Sequence, residues 1–370
     1  MERWKQVAVC RVQDVGRESL VKPVLGIETS CDETAVAVLD GYGQILAESV
    51  HSQFSEHSPF GGVVPEIAAR THLRYLTDQT RETMLSAGVG FPDLEGVAAT
   101  SGPGLIGGLM VGCQFGKGIA IANGLPFVAV NHLEAHALTA RLPGLNVSGA
   151  PFPFLVFLLS GGHSQCTAVT DVGQHVWLGG TVDDAVGEAF DKVAKLLGLG
   201  WPGGPAVERI AAQGDPASHP FPRPMIRRPG CELSFSGLKT AVAQTVLRLG
   251  PNLSRRGRAD VAASFQQAVV DVLSDRAEHA MDMMRGRFPD ANLLVVAGGV
   301  ASNTAVRVGL AAAARGRGFC LIAPPVRLCS DNAVMVAWVG IERLRRGWSS
   351  GLDAVAYPRW PLESLEAVPS

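Results

Sequence analysis

The chain has 370 residues, room for two domains of ordinary size. Hydrophobic residues make up 47% and charged residues 18%, a balance that suits large buried cores and excludes a disordered chain. A net charge of −2 excludes an overall basic field for nucleic acid and leaves only local basic surfaces for that role. The seven cysteines contain no CxxC pair, which points to buried thiols in a reducing, cytoplasmic interior rather than a disulfide framework. No apolar run is long enough for a membrane span. Residues 1–22 form an unassigned N-terminal extension without the apolar stretch of a signal peptide.

After the extension, residues 24–30 read as a strand, Cys31-Asp32-Glu33 as a polar turn, and 34–39 and 45–50 as two further antiparallel strands. Helical patterning follows over 65–87. There Ile67, Leu73, Leu76 and Met84 either pack the core or exceed its needs. A short strand over 97–100 runs into Ser101-Gly102-Pro103-Gly104 and a small-residue helix from Leu105 to Ala122. The chain near 124–130 is expected to cross between lobes, and again near 325–330.

Asn131-His132-Leu133-Glu134-Ala135-His136 comes next. Its two histidines, one helical turn apart, share a helix face and make a two-ligand clamp for a metal. Zinc proteases carry Glu directly after the first His; here that position is Leu133. Taken alone, the spacing also fits two ordinary histidines on a half-exposed helix.

The first plan then repeats: a strand over 154–159, a turn Ser160-Gly161-Gly162-His163, strands over 164–170 and 175–179, and helical patterning over 182–198. A duplicated strand-strand-strand-helix plan predicts two related α/β lobes across a cleft. The expected division is 23–130 with 330–370 for lobe I and 131–329 for lobe II. Asp191 is either a surface partner of Lys195 or a cleft carboxylate for a ribose. Trp201-Pro202-Gly203-Gly204-Pro205 offers a flat wall for a base, or simply a helix stop. Residues 292–297 read as a buried strand leading through Gly298 to Asn303 into another helix, an arrangement suited to an anion or a ribose.

Ser330-Asp331-Asn332 precedes a helix over 333–346. Asp331 stands where an N-cap is expected and is also a hard oxygen donor. With the histidines it would give two imidazoles and one carboxylate, a set used by non-haem Fe(II) and, in related form, by catalytic Zn. Two small polar hairpin tips, at 29–34 and 160–164, could wrap phosphate with backbone N–H groups. Glu28 and Asp32 could act as base or hold a metal-bound water, or be plain turn carboxylates. Arginine clusters at 223–228, 255–258 and 343–346 are possible phosphate contacts or solvated faces.

These motifs, in order, resemble the universal tRNA threonylcarbamoyltransferase family in its bacterial form. The resemblance rests on GIETSCDET at 26–34, GGVVPE at 61–66, HLEAH at 132–136, SGGH at 160–163, GEAFDK at 187–192, SFSGLK at 234–239, AGGVASN at 297–303 and SDN at 330–332. It spans about 24–362. Phe60 and Asn131 depart mildly from the pattern, where Tyr and His are common.

The resemblance implies a two-lobed actin/sugar-kinase-like fold with duplicated βββαβα lobes. It implies an acyltransferase that moves threonylcarbamoyl from threonylcarbamoyl-adenylate to N6 of adenosine 37 in tRNAs reading ANN codons. His132, His136 and Asp331 would then hold one divalent metal, Fe(II) or Zn(II), beside ATP or the adenylate in the cleft. Leu158, Leu159, Ser160, Gly161, Gly162, Asp191, Gly204 and Asn303 would contact the adenylate. Partners would be tRNA, a TsaB-like paralogue and a TsaE-like ATPase, with no membrane. The competing activities are an ATP-dependent small-molecule kinase, a metallopeptidase and a chaperone-like module.

Overall fold

The computed structural model of the chain describes residues 22–145 and 149–365. The expectation for the N-terminal extension falls, except for Lys22, outside the described residues. Three strands, Val24–Glu28 (β1), Glu33–Leu39 (β2) and Ile45–Ser52 (β3), run antiparallel through short turns. The chain then passes through a short helix, Phe54–His57 (α1), and a long one, Pro65–Ala87 (α2). Next come strand Gly96–Gly102 (β4), helix Ile106–Asn123 (α3) and strand Phe127–Asn131 (β5). Helices α2 and α3 are the crossovers that let β4 and β5 join in parallel, giving the order β3-β2-β1-β4-β5.

The second lobe repeats this. After helix His132–Leu138 (α4), strands Phe154–Leu159 (β6), Ser164–Asp171 (β7) and Gln174–Gly180 (β8) form an antiparallel meander. Helices Val186–Leu196 (α5), Gly203–Ala211 (α6), Ser236–Leu249 (α7) and Arg255–Arg287 (α8) precede strand Leu293–Ala297 (β9). Helix Thr304–Gly316 (α9) leads to strand Cys320–Ile322 (β10), and the sheet order is β10-β9-β6-β7-β8. Read from its meander edge, it is the first sheet again, parallel pairs included.

Local chemistry accounts for the elements. Helix α2 starts with Pro65 in its first turn and stops at Gly88, which takes the left-handed φ of +68°. All of β1 and β6 is buried, as expected for central strands covered on both faces. Helix Ala333–Leu344 (α10) returns from β10 to lie on the first sheet. At Gly26 of β1 a Cβ would stand 2.4 Å from Ala333 O, so only glycine allows this approach. Helices α4 and α10 share one core with residues of both sheets, Val24 and Ala37 on one side and Val156, Leu158 and Val295 on the other. That common core sets the two lobes against each other.

Two expectations need correction. Residues 127–131 are strand β5 of the first sheet, so the chain does not leave that lobe over 124–130. The helix expected over 182–198 begins only at Val186. The preceding carboxylates are engaged elsewhere: Asp183 accepts from Phe235 N at 2.8 Å, and Asp184 pairs with Lys192 and Lys239. Among the described residues, no helix is long and apolar enough to cross a membrane.

Candidate active site

Asn131 ends β5 and caps α4, its side chain accepting from Leu133 N at 2.9 Å and Glu134 N at 3.2 Å. The helix therefore starts at His132, and His136 falls one turn later on the same face, ring centroids 4.7 Å apart. At the other end of the shared core, Asn332 caps α10 by accepting from Met335 N at 3.0 Å. The expectation that Asp331 is this cap is thus corrected, and its carboxylate turns to the histidines instead. Asp331 Oδ1 lies 3.4 Å from His132 Nε2 and 3.2 Å from His136 Nε2.

The donor set fits a metal ion. One ligand atom from each of the three residues lies within 4.8 Å of the others. On the far side of the ring, His132 Nδ1 lies 3.0 Å from Glu28 Oε2 and 3.2 Å from Ser30 Oγ. A carboxylate accepting the Nδ1 proton leaves Nε2 with its lone pair toward Asp331, the tautomer a metal needs. Burial disfavours a charged His136 and lowers its pKa, which keeps it a neutral ligand. Burial also works against ionised Asp331, but His132 and His136 together outweigh it and hold the carboxyl well below the usual carboxylate range. His132 is likewise desolvated, yet Asp331 and Glu28 raise its pKa. Two carboxylates around one imidazole, the buried Glu28 and the cavity-lining Asp331, call for a cation, either a proton or a metal.

His132 and Asp331 line a cavity of about 550 Å³ between the lobes, with His136 behind them. Both hairpin tips line it, Ser30 to Glu33 from one lobe and Ser160 to His163 from the other, together with Asp191, Gly204 and Asn303. Gly161, Gly162, Gly204 and Gly299 border open space, a Cβ on any of them meeting nothing within 4 Å. Asp191 Oδ1 accepts from Gly203 N at 2.7 Å, and among the described residues it makes no ion pair with Lys195. Burial raises its pKa against that hydrogen bond. Asn303 caps α9, accepting from Val306 N at 3.1 Å, and donates to Gln266 at 3.0 Å.

Other expected site residues stand back from the cavity. Leu158 and Leu159 alternate into the two cores on either side of β6, so their side chains do not line it. Glu28 is fully buried behind His132, where it accepts from Ser30 N at 2.6 Å and Thr100 Oγ1 at 2.5 Å. Asp32 does face the cavity, and burial raises its pKa. Arg343, in the third arginine cluster, is buried against Glu134.

The sequence reading offered Trp201 as a flat wall but missed its partner Phe54, and it missed the shifted protonation of Glu33 and His163. Burial, reinforced by Asp32, pushes Glu33 up to about 7. Burial, reinforced by His132 and His136, brings His163 down to about 4. Phe54 of α1 and Trp201 beyond α5 stack across the cleft, centroids 5.4 Å apart and planes 3° from parallel. None has a local signature, because each owes its setting to the opposite lobe or to burial.

A family model described as tRNA N6-adenosine threonylcarbamoyltransferase (TsaD) matches residues 44–338. The protein of that name from Granulibacter bethesdensis is 62% identical over 349 residues, covering 92% of this chain and 94% of its own. Its counterpart from Paramagnetospirillum magneticum is 56% identical over 340 residues, covering 92% and 97%. Among solved structures, full-length HypF in a phosphate- and nucleotide-bound form aligns with a TM-score of 0.58 at 13% identity, over 92% of this chain and 48% of that one. HypF from T. kodakarensis gives 0.57 at 14%, over 89% and 49%. These distant likenesses bear on the fold alone, which is the two-lobed actin/sugar-kinase-like α/β fold. Together with the ordered motifs, the sequence matches establish that the chain belongs to the tRNA N6-adenosine threonylcarbamoyltransferase family.

Proposed function

We propose that this cleft transfers threonylcarbamoyl from threonylcarbamoyl-adenylate to N6 of adenosine 37 in tRNAs reading ANN codons. The observation that carries the reading is the convergence of His132, His136 and Asp331, with His132 and Asp331 lining the interlobe cavity beside both hairpin tips. His132, His136 and Asp331 would hold a divalent metal, Fe(II) in the first instance and Zn(II) as the alternative. Such an ion supplies Lewis acidity toward the donor's oxygens. The acceptor base leaves its stack to enter the cleft. N6 bonds to the carbamoyl carbon, the carbon–oxygen bond to the phosphate breaks, and AMP leaves with the electron pair. Asp32, at the cavity wall, takes the N6 proton, and Glu28 acts through His132 as a positioning residue. Ser160, Gly161, Gly162, Asp191, Gly204 and Asn303 form the donor wall; Leu158 and Leu159 support it from behind.

We assign the assembly surface to α2 and α3. Leu76 and Met84 are buried in the first-lobe core, whereas Leu73 is 66% exposed and Met110 of α3 is 53% exposed. A TsaB-like paralogue on this face, with a TsaE-like ATPase on the pair, and work in the cytoplasm on tRNA accord with that exposure and the family. The test is mass analysis of tRNA nucleosides after incubation of the metal-loaded chain with threonylcarbamoyl-adenylate, with and without these partners. The modified nucleoside is expected; its absence under both conditions overturns the reading.

Asp191→Asn tests the donor wall. A charged hydrogen bond to donor hydroxyls contributes about 1.5–3 kcal/mol, so donor affinity falls roughly ten- to hundredfold. Bound metal should stay unchanged. Calorimetric titration with the adenylate that shows wild-type affinity for the variant would return Asp191 to a purely structural role at Gly203.

A further inference from the structure

Three consecutive carbonyls at the first hairpin tip are held from three directions. Leu105, just before α3, donates its N–H to Ser30 O at 2.8 Å. Gln53, after β3, donates its N–H to Asp32 O at 3.1 Å. Between them, the Cys31 carbonyl is held by a side chain: His72 Nε2, from the middle of α2, lies 3.1 Å away.

His72 is fully buried and its ring is committed at both nitrogens. A carbonyl can only accept, so Nε2 carries the proton. Nδ1 is then the acceptor, 2.8 Å from Thr34 Oγ1 and 3.2 Å from Gln53 Nε2. Helix α3 closes the remaining side, where a Cβ at Gly108 would stand 3.2 Å from the ring and 2.2 Å from Thr29 O. The ring cannot swing without displacing α3. Burial lowers its pKa, in keeping with a neutral donor–acceptor strut.

The tip this strut holds carries two groups of the site. Ser30 Oγ touches His132 Nδ1 at 3.2 Å, and Asp32 faces the cavity. We infer that His72 is a positioning residue for the transfer, fixing the Cys31 carbonyl so that Ser30 and Asp32 are held toward the cleft from helix α2. The inference rests on the reading of the cleft as the transfer site.

Single-turnover transfer by the full, metal-loaded chain, assembled with its partners where these are required, tests it. His72→Leu keeps the volume and removes both hydrogen bonds; His72→Gln keeps an N–H able to reach Cys31 O. Misplacing a reacting group by about 1 Å can cost about a hundredfold in rate. A loss of that order is expected for His72→Leu at temperatures where it is folded, with bound metal and the KM for both substrates near wild type. His72→Gln should recover most of it. Wild-type rate in the folded His72→Leu chain, with only its Tm lowered, would overturn the inference. If His72→Leu does not fold, His72→Gln is compared with His72→Asn, whose amide is too short to reach Cys31 O. A faster Gln variant supports the strut, and equal rates overturn it. Failure of the wild-type chain itself would instead count against the reading of the cleft.

Discussion

His132→Ala is expected to strip the metal from the chain and abolish transfer. The substitution removes one of the three proposed ligands, and also the imidazole on which Glu28 and Asp331 converge. Asp331 would keep only His136 as a partner, and Glu28 would lose its contact at 3.0 Å while remaining fully buried. Glu28, fully buried, is left with a charge whose partner is gone, so the site loses affinity and its preformed shape together. The outer partner gives a graded control. Glu28→Gln leaves all three ligands but weakens the hold on the Nδ1 proton, and outer partners of this kind alter metal affinity by about 10–100-fold. The expected order of metal retention is therefore wild type, then Glu28→Gln, then His132→Ala. Elemental analysis of purified chains and competition with a chelator measure it. Full metal occupancy in His132→Ala would remove the basis of the proposed centre.

Glu134→Gln should cause a large loss of stability. Glu134 lies between the two histidines in sequence but points the other way, into the shared core. Its carboxylate accepts from Arg343 Nη2 at 2.5 Å and from Gly173 N at 2.7 Å, and His175 Nε2 stands 3.7 Å off. Burial would raise its pKa, but Arg343, His175 and the Gly173 N–H together outweigh that and bring it to about 2. Because the folded value lies below the ordinary 4.5, the pair's contribution is complete above that pH and is lost as pH falls toward about 2. The amide leaves the Arg343 guanidinium buried without its anion, which costs about 3–5 kcal/mol. Urea denaturation at neutral pH should show a lower midpoint with an unchanged slope. A change below about 1 kcal/mol, the size seen for exposed pairs, would mean that water reaches the guanidinium. Since Glu134 anchors α4, the variant also tests whether the clamp depends on that anchor.

Sequence alone determined the parts governed by short-range rules. Short apolar runs separated by polar turns located the two meanders, because a strand covered on both faces is apolar along its length. Pro65 and Gly88 bounded α2, because one presets φ and the other relieves it. The His132/His136 spacing and the order of the motifs were enough to place the chain in its family and, through it, in its fold.

Tertiary structure decided which of several competent groups does what. Asp331 and Asn332 can both cap a helix. The cap goes to Asn332 because α10 is pressed onto β1 at Gly26, which turns Asp331 toward α4. Glu28 and Asp32 look alike in a list of turn carboxylates, yet one lies behind His132 and the other faces the cavity. Four clustered features, the Glu134–Arg343 pair, the Phe54–Trp201 stack, the near-neutral Glu33 and the His72 strut, join segments far apart in the chain. Their geometry and protonation depend on which surfaces the two lobes bury against each other, and that burial is a property of the packed molecule, with no counterpart in any local run of residues.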